Sequence, residues 1–576
     1  MRLKFLFVVF VVFVSTSFAT ELPGRGARIL WTTYEAENMR TNGMVMGPTY
    51  NPYRVETESS GQRCVKLSVK KQFVEFTATV TANTLVIRYS LPDSKQGNGQ
   101  TATLGVYKNG KLNQQKKITS RFAWLYGKYP FSNNLNGGTP RHFFDETRLS
   151  GIQVKKGDVI RIQRDDQEGD EAAYCTIDLA DLENVDLPLK ALSSSISITD
   201  PSIAVPVNGD YTEAFNKCIS KAVETGRSVW IPAGVFKISG DIILPANIQI
   251  NGAGMWYSQL VGDDQLYADP NKRVRLVGRG SNIHLADFAI TGNLNYRSDK
   301  EANDGIVGSY GTNSTISRIW VEHTKVGMWI ENSSNLKVAG CRLRNTMADG
   351  INFCVGMNSS TIENCTARGT GDDCFAIWPA VFSKQEFAPG HNIIKNCTGQ
   401  LPFLANGAAI YGGDSNEIAN CSFADICQGS AILLSTTFPT ENGDKTVNNN
   451  FKGVTTIQNC EIKTSGGFDH EWDWRAAIEI CLDKRSISGL AIKDIKVSNS
   501  LSNALSVITK QDNVKAVRLS NASLHNINIV RYGIAAKDKH ALYISTDAKG
   551  QLTIINSKIS AIENKSPNFS LSNLSK

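Results

Sequence analysis

Two aspartate sites stand 23 residues apart in this chain: Asp349, in Ala348-Asp349-Gly350-Ile351-Asn352, and the pair Asp372-Asp373, in Gly371-Asp372-Asp373-Cys374-Phe375. The surrounding sequence repeats with nearly that period, so the spacing stacks three carboxylates on one face. Residues one coil apart in a parallel β stack lie about 4.8 Å from each other. At that range like-charge repulsion raises one carboxyl group into the range of a general acid and leaves a carboxylate to activate water. Such a site suits cleavage of a glycosidic bond. On a regular strand Asp372 and Asp373 would face opposite ways, so the backbone must bend there, which Gly369 and Gly371 permit. Spacing alone leaves three readings open: hydrolysis, a calcium-dependent lyase or epimerase using an Arg or Lys base, and glycan binding without catalysis.

Aromatic residues narrow the choice. Trp329 precedes Asp349 by 20 residues, and Trp378 follows the Asp pair by five. Tyr411, Phe353, Trp472 and Trp474 fall in nearby repeats. Sugar rings stack on such faces. Trp329, Asn352, Trp378 and Tyr411 are the candidate substrate-binding residues. A polyanionic substrate would want a row of Lys and Arg beside the aspartates, and none is evident in the sequence, which favours a neutral glycan.

The elements that position these groups follow from the repeat. Ile-x-Asn-Cys recurs at Ile362–Cys365, Ile394–Cys397, Ile418–Cys421 and Ile457–Cys460, with looser echoes at Val338–Cys341 and Ile555–Ser557. Successive cysteine spacings are 24, 32, 24 and 39 residues, which reads as bare coils alternating with coils that carry insertions. Short strands at a period in the low twenties, with asparagine at the bends and Ile, Val and Cys inside, are what a right-handed parallel β-helix requires. This domain is expected over 195–576. The insertions Pro379–Gly390 and Phe438–Asn450 should protrude beside the functional face. Upstream, period-two runs such as Thr84–Tyr89 and Ala102–Tyr107, separated by Gly, Asn and Asp, indicate an antiparallel β-sandwich of jelly-roll type over 28–188. An amphipathic helix from Asp210 to about Val223 is placed to close the end of the solenoid.

Composition sets further bounds. Met1-Arg2-Leu3-Lys4, an apolar run and Ser15–Ala19 read as a signal peptide over 1–19, so a secreted chain is expected, extracellular or periplasmic and free of the membrane after cleavage. The net charge of +7 is spread thinly, without a basic stripe, which argues against nucleic-acid binding. Twelve cysteines in an exported chain suggest disulfides, but five occupy equivalent repeat positions. Stacked buried thiols are therefore preferred over bridges. A monomer is expected.

At these residues the chain resembles glycoside hydrolase family 87. The resemblance rests on Trp329-Ile330-Glu331, the run Cys341 to Asn352, Gly371 to Trp378, Asn303-Asp304-Gly305, Ala405 to Gly413 and Ala476 to Glu479. It implies an inverting endo-α-1,3-glucanase or mycodextranase on a right-handed β-helix, with Asp349, Asp372 and Asp373 catalytic and no catalytic cofactor. The partner it implies is a neutral α-glucan polysaccharide. By a more distant likeness to polygalacturonases, Asp372 would be the acid, with Asp349 and Asp373 holding the water. Their Gly-His-Gly and Arg-Ile-Lys motifs are missing here, so a polygalacturonase-like activity is the alternative. The sandwich, through Tyr34 to Glu37, Glu58 to Leu67 and Tyr174 to Asp178, resembles carbohydrate-binding modules of families 6 and 35. That resemblance implies a structural calcium at Glu35, Glu37 and Asp178.

Overall fold

The computed structural model describes residues 25–574 apart from 130, 439–448, 470–472, 510–516 and 538. The expected signal peptide, Trp472 and most of the 438–450 insertion lie outside the described residues.

Two antiparallel sheets form the N-terminal layer pair. One joins Asp145–Val154, Ala82–Ser90, Cys175–Glu183, Cys64–Leu67 and Met44–Met46, with Trp31–Glu35 pairing Cys175–Glu183. The other joins Arg40–Thr41, Phe73–Thr77, Val159–Arg164, Thr101–Lys108 and Lys111–Thr119. Alternate residues of these strands, among them Leu85, Ile87, Leu104, Val106, Ile160 and Ile162, meet in one apolar core.

From Ile196 onward the chain winds as a right-handed parallel β-helix. One ladder of 21 strands and one of 12 run along its axis, every named pairing parallel. The Asn of each Ile-x-Asn-Cys phrase makes the corner: Asn364, Asn396, Asn420 and Asn459 have φ of 54°, 51°, 55° and 50°, and Gly340 takes the same place at 66°. Asparagine tolerates this left-handed region because its short amide can bond locally. The next residue turns inward, so Cys341, Cys365, Cys397, Cys421 and Cys460 stack in the core. All twelve cysteines are free and buried. The Sγ of Cys397 and of Cys421 each lies 3.2 Å from a carbonyl oxygen, that of Lys395 and of Ala419, positioned to donate its thiol proton. The capping helix spans Thr212–Thr225, one residue further in than an Asp210 N-cap implies, with Tyr211 at the cap. Asp210 Oδ1 still accepts from Thr212 N at 2.7 Å, and Phe215, Ile219 and Ala222 bury against the first coils.

The two domains share an interface with buried charge. Arg342 grips both oxygens of Glu183 at 2.6 and 2.7 Å, and Arg368 spans Glu146 at 2.5 Å and Asp181 at 2.7 Å. Sandwich residues Leu125, Phe131 and Phe143 belong to the apolar core of the β-helix, and the ring of Phe143 stacks on Phe403 with centroids 3.8 Å apart. The sandwich is therefore built onto the flank of the coils that carry the aspartates.

Candidate active site

Strand Ile351–Phe353 stacks on Phe375–Ile377 with Ile351 opposite Phe375, a rung offset of 24 residues. The rung partner of Asp349 is thus Asp373, not Asp372 as a 23-residue rung would have it; Gly350 N donates to Asp373 O at 2.9 Å. Asp372 stands one residue earlier in the bend, at the place of Ala348 in the preceding coil, since the offset is 24 on both sides of it. Gly369 supplies the bend with φ of 70°. Gly371 has ordinary backbone angles, and its role is space: a Cβ there would stand 2.4 Å from Met347 O and 2.5 Å from the Phe403 ring.

One carboxylate oxygen from each of Asp349, Asp372 and Asp373 lies within 4.8 Å of the others, and among the described residues no other acid, His or Cys group of three gathers this closely. The environments differ. Asp373 is buried and accepts from Asn406 N at 3.1 Å, Asn406 Nδ2 at 2.8 Å and Tyr411 OH at 2.8 Å. Burial, then the charge of Asp372, pushes its carboxyl up to about 7, with the donors opposing. Asp349 is buried with a single weak donor, Asn352 Nδ2 at 3.3 Å. Burial first, then Asp372 and Asp373, drive it well above the usual carboxylate range. Asp372, with 26% of its side chain exposed, faces the cleft and pairs with Arg297 Nη2 at 2.6 Å. Arg297 also bonds Asp299 at 2.9 Å and the carbonyl of Gly371 at 2.5 Å. Burial and the two neighbouring acids thus favour the proton on Asp349, and the Arg297 guanidinium braces Asp372 at the cleft.

The candidate substrate-binding residues also converge. Trp329, Asn352, Trp378 and Tyr411 line a cleft of about 490 Å³ with the trio. Trp329, Asn352, Ala376 and Ala409 occupy successive rungs of one ladder, and the two alanines leave room at its floor. Trp329 meets Trp378 edge-on at 5.7 Å, and Trp329 Nε1 donates to Glu331 at 2.8 Å. Phe353 instead points into the core, while Trp474 packs edge-on against Phe468 at 5.5 Å. A second arm of about 320 Å³ continues past Asp372 and Tyr411 towards Glu479 and Lys484.

Several lining residues had no signal in the repeat. Arg297 and Lys325 show that cations do stand beside the aspartates. Both are engaged, Lys325 Nζ donating to Glu301 O at 2.6 Å. Asp299, Glu301 and Glu331 outnumber them even before the trio is counted. Phe382, from the expected insertion, and Phe438 add aromatic wall, and Tyr129 arrives from the sandwich. Asn406 lies in the run Ala405 to Gly413, where nothing in the sequence singles it out.

At the implied calcium site, Glu35 Oε2 and Glu37 Oε2 are buried without a hydrogen-bond partner. Asp178 is committed: one oxygen accepts from Ser60 N at 2.9 Å and the other pairs with Arg88. Glu35 and Glu37 fit a cation, whereas Asp178 serves an internal ion pair. Asp425 of the β-helix adds its charge to Glu35, whose carboxyl is pushed up to about 8 by burial first and then by Asp178 and Glu37.

Residues 208–576 match the family model "Alpha-1,3-glucanase catalytic domain D2", and 29–185 match "Alpha-1,3-glucanase catalytic domain D1". The chain belongs to this family. It is a glycoside hydrolase, and its sandwich corresponds to a domain of the glucanase catalytic unit. Among solved structures, the catalytic unit of a thermostable glycoside hydrolase family 87 alpha-1,3-glucanase from Streptomyces thermodiastaticus strain HF3-3 superposes with TM-score 0.79 at 26% identity, over 96% of this chain and 97% of that one. The catalytic domain of a family 87 alpha-1,3-glucanase in complex with nigerose gives 0.77 at 27% identity, over 95% and 99%. The Agl-KA catalytic domain shares the fold, with TM-score 0.83 at 24% identity over 96% and 98%. Among curated proteins the pre-neck appendage protein of Bacillus phage phi29 is 25% identical over 303 residues, 49% of this chain and 28% of that protein. That of phage PZA is 26% identical over 175 residues, 27% of this chain and 19% of that protein. The chain thus spans less than a third of either phage protein.

Proposed function

We propose that this glucanase cuts internal α-1,3-glucosidic bonds of a neutral α-glucan at Asp349, Asp372 and Asp373, with inversion. The carrying observation is a coupled acid trio in the floor of an aromatic, net-acidic cleft. Fixed carboxylates repel a polyanion such as polygalacturonate, while the indole and phenol faces suit uncharged pyranose rings. Cleft on both sides of the trio supports attack within a chain. A nigerose complex of a related enzyme points to the α-1,3 linkage. In that enzyme class three aspartates with the spacing of Asp349, Asp372 and Asp373 have each been replaced by alanine in sugar complexes.

The chemistry follows from the environments. Asp372 faces the cleft and is placed to protonate the leaving oxygen with the proton that the coupled trio shares. Asp373, fixed by Asn406 and Tyr411, and Asp349 orient the water and take its proton. The nearest oxygens of the trio, within 4.8 Å, sit closer than the usual inverting separation of about 6.5–9.5 Å between carboxyl groups. Product stereochemistry is therefore measured directly: inversion gives the β-anomer first by NMR, and an α-anomer first would refute it. For the activity itself, reducing ends are measured with α-1,3-glucan, nigeran, dextran and polygalacturonate. Release from the α-1,3-linked polymers, abolished by Asp372→Asn with binding retained, is expected. Binding without release from any of them would leave a glycan-binding protein instead. We also propose export with removal of the N-terminal segment, checked by N-terminal sequencing of the secreted chain.

A further inference from the structure

Beside the cleft lies a pocket of about 300 Å³ between the two domains, at the small end of the range of ligand sites. Its near wall is Tyr129, carried on the sandwich loop between the paired strands Trp124–Leu125 and Arg141–His142. Tyr129 lines both arms of the catalytic cleft as well, and Asp469 lines the pocket and the second arm, so the pocket adjoins the cleft. The loop is anchored beside the trio: Asn133 Nδ2 donates to Arg297 O at 2.9 Å, and the Tyr129 ring stands 5.8 Å from the Arg297 guanidinium.

The other walls are aromatic too. Tyr53 and Tyr129 remain 42% and 43% exposed, too much for core residues, and both face this pocket. Phe468 is braced edge-on by Trp474 at 5.5 Å. Among the polar lining residues, Arg141 and Asp469 are tied into ion pairs with Glu58 and Arg475, while Thr139, Gln428 and the exposed Lys128 offer hydrogen-bonding groups. Aromatic faces edged by hydrogen-bonding groups match a pyranose, as the cleft itself does.

We propose that this interdomain pocket is a distal subsite, in which Tyr53, Tyr129 and Phe468 bind further sugar units of the same glucan chain that is cut at the trio. The inference rests on the proposed α-1,3-glucanase activity. It gives the sandwich a share in the active site, as a wall of the substrate groove, in place of a separate binding module.

The test compares kcat/KM for an α-1,3-linked trisaccharide and heptasaccharide in the full chain and in Tyr53→Ala and Phe468→Ala, with thermal melting to confirm folding. Loss of one stacking face is expected to lower the heptasaccharide-to-trisaccharide ratio by about tenfold, with Tyr53→Phe restoring it. An unchanged ratio in both alanine variants would overturn the subsite while leaving the activity standing. No hydrolysis by the unaltered chain would overturn both.

Discussion

Arg297 is the residue whose removal tests the electrostatics of the site most directly. Its guanidinium is nearly buried, with 4% of the side chain exposed, and stands 2.6 Å from Asp372. It also lowers the proton affinity of Asp349, against the burial that raises it. An opposite charge at this range shifts a carboxyl group by about 1–3 pH units. Arg297→Met takes that balance away and leaves three facing carboxyl groups to share more protons. The pH at which the site acquires its reactive carboxylate therefore rises by about 1–3 units, and below it kcat/KM falls about tenfold per unit. The assay is kcat/KM against pH from reducing-end release, which reports the free enzyme. Arg297→Lys keeps the charge without the fork and should move the acid limb by less. A loss of activity equal at every pH, with the limb in place, would refute the electrostatic role and leave Arg297 as a brace for Gly371.

Other outcomes follow from the interface, the core and the acid cluster. Arg368→Met leaves Glu146 with only Arg344 at 3.5 Å and Asp181 with only Thr33 at 2.6 Å in the domain interface and should cost about 3–5 kcal/mol, read as a lower Tm and denaturation midpoint; a change under about 1 kcal/mol would mean that water reaches those acids. The twelve buried thiols should resist a thiol reagent until the chain unfolds, and Tm should not respond to reductant; a drop in Tm with reductant would reveal bridges. Glu35 and Asp425, pushed up to about 8 and about 6, bind protons more tightly in the folded chain than when unfolded. Their contribution is present below the unfolded values and is lost as pH rises through about 8. In metal-free protein stability should fall over that window, and we propose that calcium at Glu35 and Glu37 flattens the slope; identical pH profiles with calcium and with chelator would remove the cation.

The sequence by itself determined the coil. The Ile-x-Asn-Cys phrase encodes a left-handed corner followed by an inward residue, a local requirement repeated in the chain, so the β-helix and the thiol stack were legible without coordinates. The presence of Asp349, Asp372 and Asp373 on one face was legible for the same reason. The stagger among them was not: the rung is 24 residues, and Asp372 sits in the bend, because pairing follows backbone hydrogen bonds and not the shortest distance between acids. Arg297, from a coil with no echo of the phrase, and Tyr129, from the other domain, reach the trio only through packing. Their positions depend on how the sandwich docks through Arg342, Arg368 and the Phe143–Phe403 stack. Those contacts join residues more than a hundred positions apart, where spacing along the chain carries no information. Local periodicity thus fixed the scaffold and the acids, and tertiary contact decided their charges, the walls of the cleft and the part the sandwich plays in it.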